Sequence, residues 1–220
     1  MITVALSNGQ VRPVSGGIIS IPRTGIWLAD FVMSDQEIPS GLLVLDLAGV
    51  SMPASIVKAE LNNGMIDLRI VGGAGGLGNT AKPKHYYRPV VKNVLDDLLR
   101  DSGEKLSSSC TPSVTGASLE AWTTLGLPTG AMLSGLCRLC GVDSTWRVLS
   151  DGTVWLGAEE WPISTVDVRI ESSSGNASSA VIGTDTPCVW PGTILGGRKI
   201  DLVVHDLDMN RTSVMFAEVS

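Results

Sequence analysis

Cys137-x-x-Cys140 has the spacing of half a zinc site, because two thiolates three residues apart can take adjacent corners of a tetrahedron. The other half is missing. Cys110 and Cys188 are isolated, and His85 and His205 each stand alone. The helical spacing of Cys137 and Cys140 sets both among Leu133 and Leu136, so they read as core cysteines with no metal. A disulfide-exchange role needs the pair to open a helix, and here it closes one. Glu159-Glu160 beside Trp161 resembles the equipment of a glycosidase, a carboxylate pair next to a sugar-stacking ring. Successive strand residues point to opposite faces, so these two carboxylates cannot flank one bond. His205-Asp206 offers two members of a hydrolytic triad, but no serine sits on a strand-to-helix elbow to act as nucleophile.

Two further patterns concern phosphates. Gly73, Gly75 and Gly78 match G-x-G-x-x-G, which holds a pyrophosphate when a helix follows at once. Here N-T-A-K-P-K-H-Y-Y-R-P follows, so the expectation is a loop of close backbone approach rather than a dinucleotide site. Lys82 to Lys92, K-P-K-H-Y-Y-R-P-V-V-K, interleaves bases with Tyr86 and Tyr87 as single-strand-binding surfaces do. In a chain of net charge −6 it reads as a connecting strand with a solvated basic face. The expectation is a non-enzyme, with no catalytic residues, cofactor or metal.

The elements that would position these residues are mostly strands. The most strongly specified stretch is W-R-V-L-S-D-G-T-V-W-L-G-A-E-E-W-P, 146–162. Its Asp151-Gly152 predicts a two-residue type I′ turn, pairing Ser150 with Thr153, Val148 with Trp155 and Trp146 with Gly157. That register puts Trp146, Val148 and Trp155 on one face and Leu149, Val154 and Leu156 with Arg147 on the other, so both faces need covering. Earlier hairpins are marked by Asn8-Gly9 between Ile2–Leu6 and Val11–Val14, and by Asn63-Gly64 between Ile56–Leu61 and Met65–Val71. Strands are also expected at Ile26–Met33 and Leu42–Leu47. Pro89 opens a helix with Val90, Val91, Val94, Leu95 and Leu98 on one stripe, and Gly103 ends it. A short helix is predicted over Leu119–Leu125 with Ser118 as cap, and another from Thr129, as its cap, to Gly141. Strands follow at Val166–Ile170, Arg198–Leu207 and Thr212–Val219, with a Ser/Gly/Asn-rich loop at Ser172–Ser179. The reading is mainly β with a small helical insertion: a β-barrel at 1–88, a helical connector at 89–141, and a C-terminal β region at 142–220. Each β region holds enough strands to close a small antiparallel barrel or tube-like domain of related shape.

Charged residues make up 17% of the chain and hydrophobic residues 44%, against roughly 25% charged in typical globular domains. Such a surface carries more apolar area than a free monomer exposes, which predicts an oligomer. Residues 89–220 hold nine bases against sixteen acids, which argues against a phosphate-backbone grip there. The opening M-I-T-V-A-L-S-N-G-Q has no signal-peptide pattern and no run of about twenty apolar residues occurs. A soluble protein, made in the cytoplasm with reduced thiols and with no membrane contact, is expected.

Four stretches carry a resemblance: V-G-G-A-G-G-L-G (71–78), V-L-D-D-L-L-R-D-S-G-E (94–104), W-R-V-L-S-D-G-T-V-W-L-G (146–157) and P-G-T-I-L-G-G-R-K-I-D-L-V-V-H (191–205). Together they resemble the tail-hub, or baseplate hub, proteins of long-tailed bacteriophages, the late-control type included. The resemblance implies a structural subunit of a virion tail tip, assembled in the host cytoplasm. Such a subunit forms a homo-oligomeric ring, a trimer, that joins the tail tube or a distal tail protein to a spike. It encloses a channel through which DNA passes without specific binding and which a tape-measure protein can occupy. No lysozyme or β-helical spike segment is present, so the spike would be another polypeptide, and a distal-tail adaptor ring is also compatible. A carbohydrate-binding β module is the competing reading, since six Trp against two Tyr and two Phe could supply stacking platforms.

Overall fold

The computed structural model describes the chain except residues 1, 7–8, 36, 48, 142–143, 167, 175–177, 183–188 and 219–220. Six strands make the N-terminal half: β1 (Thr3–Ala5), β2 (Val11–Pro22), β3 (Leu28–Ser34), β4 (Leu42–Leu47), β5 (Val50–Asn62) and β6 (Met65–Gly72). They pair antiparallel in the order β1-β4-β5-β6-β3-β2, and β1 pairs β2 as well as β4, which closes a barrel. Period-two alternation fills it. Ala29, Phe31 and Met33 from β3, Ile66, Leu68 and Ile70 from β6, and Leu43, Leu45 and Leu47 from β4 are all buried in one core. The barrel is therefore a packed core and not a pore.

Beyond it lie β7 (Lys84–Tyr87), α1 (Val91–Ser102), α2 (Pro112–Thr115), β8 (Ala121–Thr124), α3 (Thr129–Cys140), β9 (Ser144–Val148) and β10 (Val154–Ala158). The chain ends with β11 (Ile170–Ser173), β12 (Ser179–Ile182), β13 (Ile194–Leu195), β14 (Arg198–Asp206) and β15 (Arg211–Phe216). α1 buries Val91, Val94, Leu95, Leu98 and Leu99 and stops at Gly103, whose φ of 78° frees its N–H for the Leu99 and Arg100 carbonyls. The C-terminal β region joins the barrel edge to edge, since β14 pairs β2 and the sheet continues through β15 and β12 to β11. It has its own small core of Ile182, Val189, Leu195, Ile200, Val203 and Val214. Among the described residues it remains an open sheet.

Several expectations change. Leu119–Leu125 is not a helix: Ala121–Thr124 pairs with β7 as a strand. Its Trp-Thr-Thr run prefers the extended backbone, and the Thr124 hydroxyl donates to the Lys82 carbonyl at 2.6 Å. Thr129 is the first residue of α3 rather than its cap, and its hydroxyl donates to the Asn79 carbonyl at 3.2 Å. Pro112–Thr115 is a helix that periodicity did not reveal. The strand expected at Val166–Ile170 begins instead at Ile170. Residues 167 and 175–177, in that strand and the following loop, lie outside the described residues, as do Asn8 and Cys188.

The two remaining turns separate two kinds of hairpin. Asn63 and Gly64 have φ of 51° and 77°, and Asn62 pairs Met65, the expected type I′ loop. Asp151-Gly152 does otherwise. Val148 pairs Val154 and Trp146 pairs Leu156, while Leu149 and Thr153 close a three-residue loop. The Asp151 carboxylate accepts from the Thr153 N–H at 2.9 Å and from its hydroxyl at 2.7 Å, leaving only Gly152, φ 79°, left-handed. The register is one residue from the expected one, which flips Trp155 onto the face of Arg147. Trp146, Val148, Val154 and Leu156 enter the barrel core together.

A Cβ on Gly152 would lie 3.1 Å from that of Pro53. Gly152→Val is expected to cost about 2–3 kcal/mol, combining left-handed strain with this crowding. Thermal denaturation checks it, and a melting temperature unchanged from wild type would refute it.

Candidate functional site

The four stretches named above meet in two places. At the first, the loop after β6 wraps the carboxylate of Glu104, just past the end of α1. The N–H groups of Ala74 and Gly76 donate to Glu104 Oε2 and Oε1, each at 2.9 Å. Gly73 and Gly75 both have φ of 81°. A Cβ on Gly73 would stand 2.6 Å from Glu104 Oε2, and one on Gly76 would stand 1.7 Å from the Ser102 carbonyl oxygen. The G-x-G-x-x-G loop thus cradles an anion with backbone N–H groups, as such loops do for phosphate, but the anion is the chain's own buried Glu104. No sequence signal pointed to Glu104, since the partners lie thirty residues apart.

At the second place, β9, β10 and the segment before β13 enclose a cleft of about 490 Å³. In its wall Arg147 forms a two-pronged ion pair with Glu159, 2.6 Å and 3.1 Å, and the Glu159 side chain is 5% exposed. The guanidinium lies 4.4 Å over the Trp155 ring. Gly192 lies so close that a Cβ would be 2.6 Å from Glu159 Oε1, which explains the glycine of P-G-T-I-L-G-G. Glu159 is thus held by an ion pair and Glu160 is exposed; both lie past the end of β10 at Ala158, so they are not successive residues of a strand.

The other candidates are likewise occupied structurally. Cys137 is buried in the core with Leu133 and Leu136, and burial pushes its thiol up to about 12. Among the described residues no group of three His, Cys, Asp or Glu could hold a metal ion. In the basic stretch, the Tyr86 hydroxyl donates to Asp97 at 3.0 Å and Lys84 bridges Asp97 and Asp101 at 3.3 and 3.4 Å. These groups fasten β7 to α1, while Lys82, Tyr87 and Arg88 of the same stretch are exposed.

His205 is buried on β14 between β2 and β15, its Nδ1 2.9 Å from the Thr212 hydroxyl. Burial lowers its pKa from 6.5 to about 4. The unfolded chain therefore binds the proton more readily than the folded one. This contribution to stability is complete above about pH 6.5 and is lost as pH falls toward 4, on the order of 2–3 kcal/mol. In urea titrations, the wild type should lose stability relative to His205→Leu over that window, and a difference independent of pH would refute it.

No protein-family model matches the sequence, and no curated protein matches it. Solved structures do. The 43 kDa tail protein of prophage MuSo2 from Shewanella oneidensis superposes with a TM-score of 0.70 at 10% identity, over 98% of this chain and 96% of that one. The chain has a phage tail-protein fold. The E. coli c3393 protein shares it, with a TM-score of 0.62 at 8% identity over 100% of this chain and 77% of that one. That protein is described as a type VI secretion component similar in structure to the T4 bacteriophage tail proteins gp27 and gp5. The tail-protein fold accords with the hub resemblance of the four stretches. No helix among the described residues is long and apolar enough to cross a membrane.

Proposed function

We propose that this chain is a structural subunit of a phage tail tip or baseplate, working by assembly rather than catalysis. Copies form a trimeric hub ring that joins the tail tube, or a distal tail protein, to a separate spike and surrounds the DNA channel. The observation that carries this reading is the tail-protein fold combined with a barrel whose interior is packed with side chains. A filled barrel cannot conduct DNA, so a channel requires a ring of copies. The barrel of 1–88 and the β region of 142–220 give a three-fold ring six β units to set against a tube, braced by the connector of 89–141. A tape-measure segment would occupy the channel before DNA passes.

The carbohydrate-binding reading is disfavoured by the tryptophans themselves. Trp27, Trp146 and Trp155 are buried, Arg147 covers a face of Trp155, and Arg23 and Lys199 stand over Trp161 at 5.4 and 4.7 Å. The chain's own cations thus cover Trp155 and Trp161, and Trp122 and Trp190 pack partly buried against the core. Light scattering and electron microscopy of the protein, alone and with its neighbouring tail proteins, test the proposal. A closed ring is expected, and a strict monomer in both conditions would overturn it.

A further inference from the structure

β7 and β8, which α1 and α2 separate in the chain, form a two-stranded sheet of their own. One face is packed: Tyr86 and Trp122, paired across the strands, adjoin the main core. The other face is bare. Pro83, His85 and Tyr87 alternate along one side and Ala121, Thr123 and Leu125 along the other, and all six are exposed. Tyr87 is 75% and Leu125 67% exposed. The core thus covers one face of this pair, and the other is open to solvent. Lys82 and Arg88 flank the face. Arg88 lies 5.3 Å over the Tyr87 ring, and neither base is in an ion pair among the described residues.

The same chain carries the complementary chemistry elsewhere. Residues 142–220 hold eleven acids against five bases. The same region exposes Glu160 and Glu171, neither in an ion pair among the described residues, and it also exposes Ile163, Ile170 and Met215.

We infer that the bare face of the β7–β8 sheet docks on the acidic C-terminal β region of a second copy of this chain. The two surfaces differ, so the contact is head-to-tail, and a head-to-tail contact that closes makes a ring. Tyr87 on the face and Arg88 at its margin are residue types that anchor interfaces. The inference rests on the ring reading above and adds to it which surfaces meet.

The test is the oligomeric mass of the full-length protein by analytical ultracentrifugation. Tyr87→Asp with Leu125→Asp should reduce the ring to monomer while far-UV circular dichroism and melting temperature stay at wild-type values, since both side chains are on the surface. Lys82→Glu with Arg88→Glu should also dissociate it, and adding Glu160→Lys with Glu171→Lys should restore association. An unchanged ring in the Tyr87/Leu125 variant overturns this interface and leaves the ring reading standing. Dissociation that the charge swap does not rescue overturns the pairing with the C-terminal region. A wild-type protein that is monomeric alone and with its tail partners overturns the ring and this contact together.

Discussion

Gly76→Ala should lower the unfolding free energy by about 4 kcal/mol, or roughly 10 °C in melting temperature for a chain of this size. The added Cβ would meet the Ser102 carbonyl oxygen at 1.7 Å and its carbon at 2.8 Å. Those are backbone atoms at the end of α1 and cannot swing aside. If the loop retreats instead, the Gly76 N–H leaves Glu104 Oε1, and a buried carboxylate loses a charge-assisted hydrogen bond. Overpacking and the lost bond each cost about 1–3 kcal/mol. Gly78, the last glycine of the same motif, is the control. Nothing lies within 4 Å of a Cβ placed there, so Gly78→Ala should be within about 1 kcal/mol of wild type. Equal melting temperatures for the two variants would show that the loop does not serve to hold Glu104.

The second large effect is expected at Arg147 and Glu159. Glu159→Leu leaves the guanidinium facing the cleft with no carboxylate, and Arg147→Met leaves a carboxylate that is 5% exposed without its cation. Each single change should cost about 3–4 kcal/mol, because the surviving charge stays desolvated. The double variant should cost no more than either single one, giving a coupling of about 3–4 kcal/mol in urea denaturation. Additive losses would show that the pair contributes only as two independent packing residues. Loss of Arg147 also uncovers Trp155, so a red shift in its fluorescence should accompany Arg147→Met and not Glu159→Leu.

Much of the fold was legible because it depends on local rules. The apolar runs located β3 and β4, Asn63-Gly64 announced its turn, and Gly103 marked the end of α1. Cys137 and Cys140 read as helical core residues for the same reason. The errors arose where two local signals compete. Asp-Gly serves a two-residue loop or a three-residue one, and the choice turned on the Asp151 carboxylate bonding Thr153 and on which register sends Trp146 and Leu156 into the core together. Residues 119–125 carry helix-compatible ends around a β-forming centre, and the pairing with Lys84–Tyr87 decided for the strand.

The sequence by itself determined a mainly β chain with a helical insertion and low charge. Only the tertiary structure decided what the motifs are for. Gly73 to Gly78 and Glu104 are distant in sequence, as are Arg147, Glu159 and Gly192, and nothing local encodes their meeting. The closure of the barrel by a three-residue β1, and the extension of its sheet through β14, likewise depend on pairings between far-separated segments. Such contacts are selected by the burial of a whole core, a collective quantity that no single stretch of residues contains.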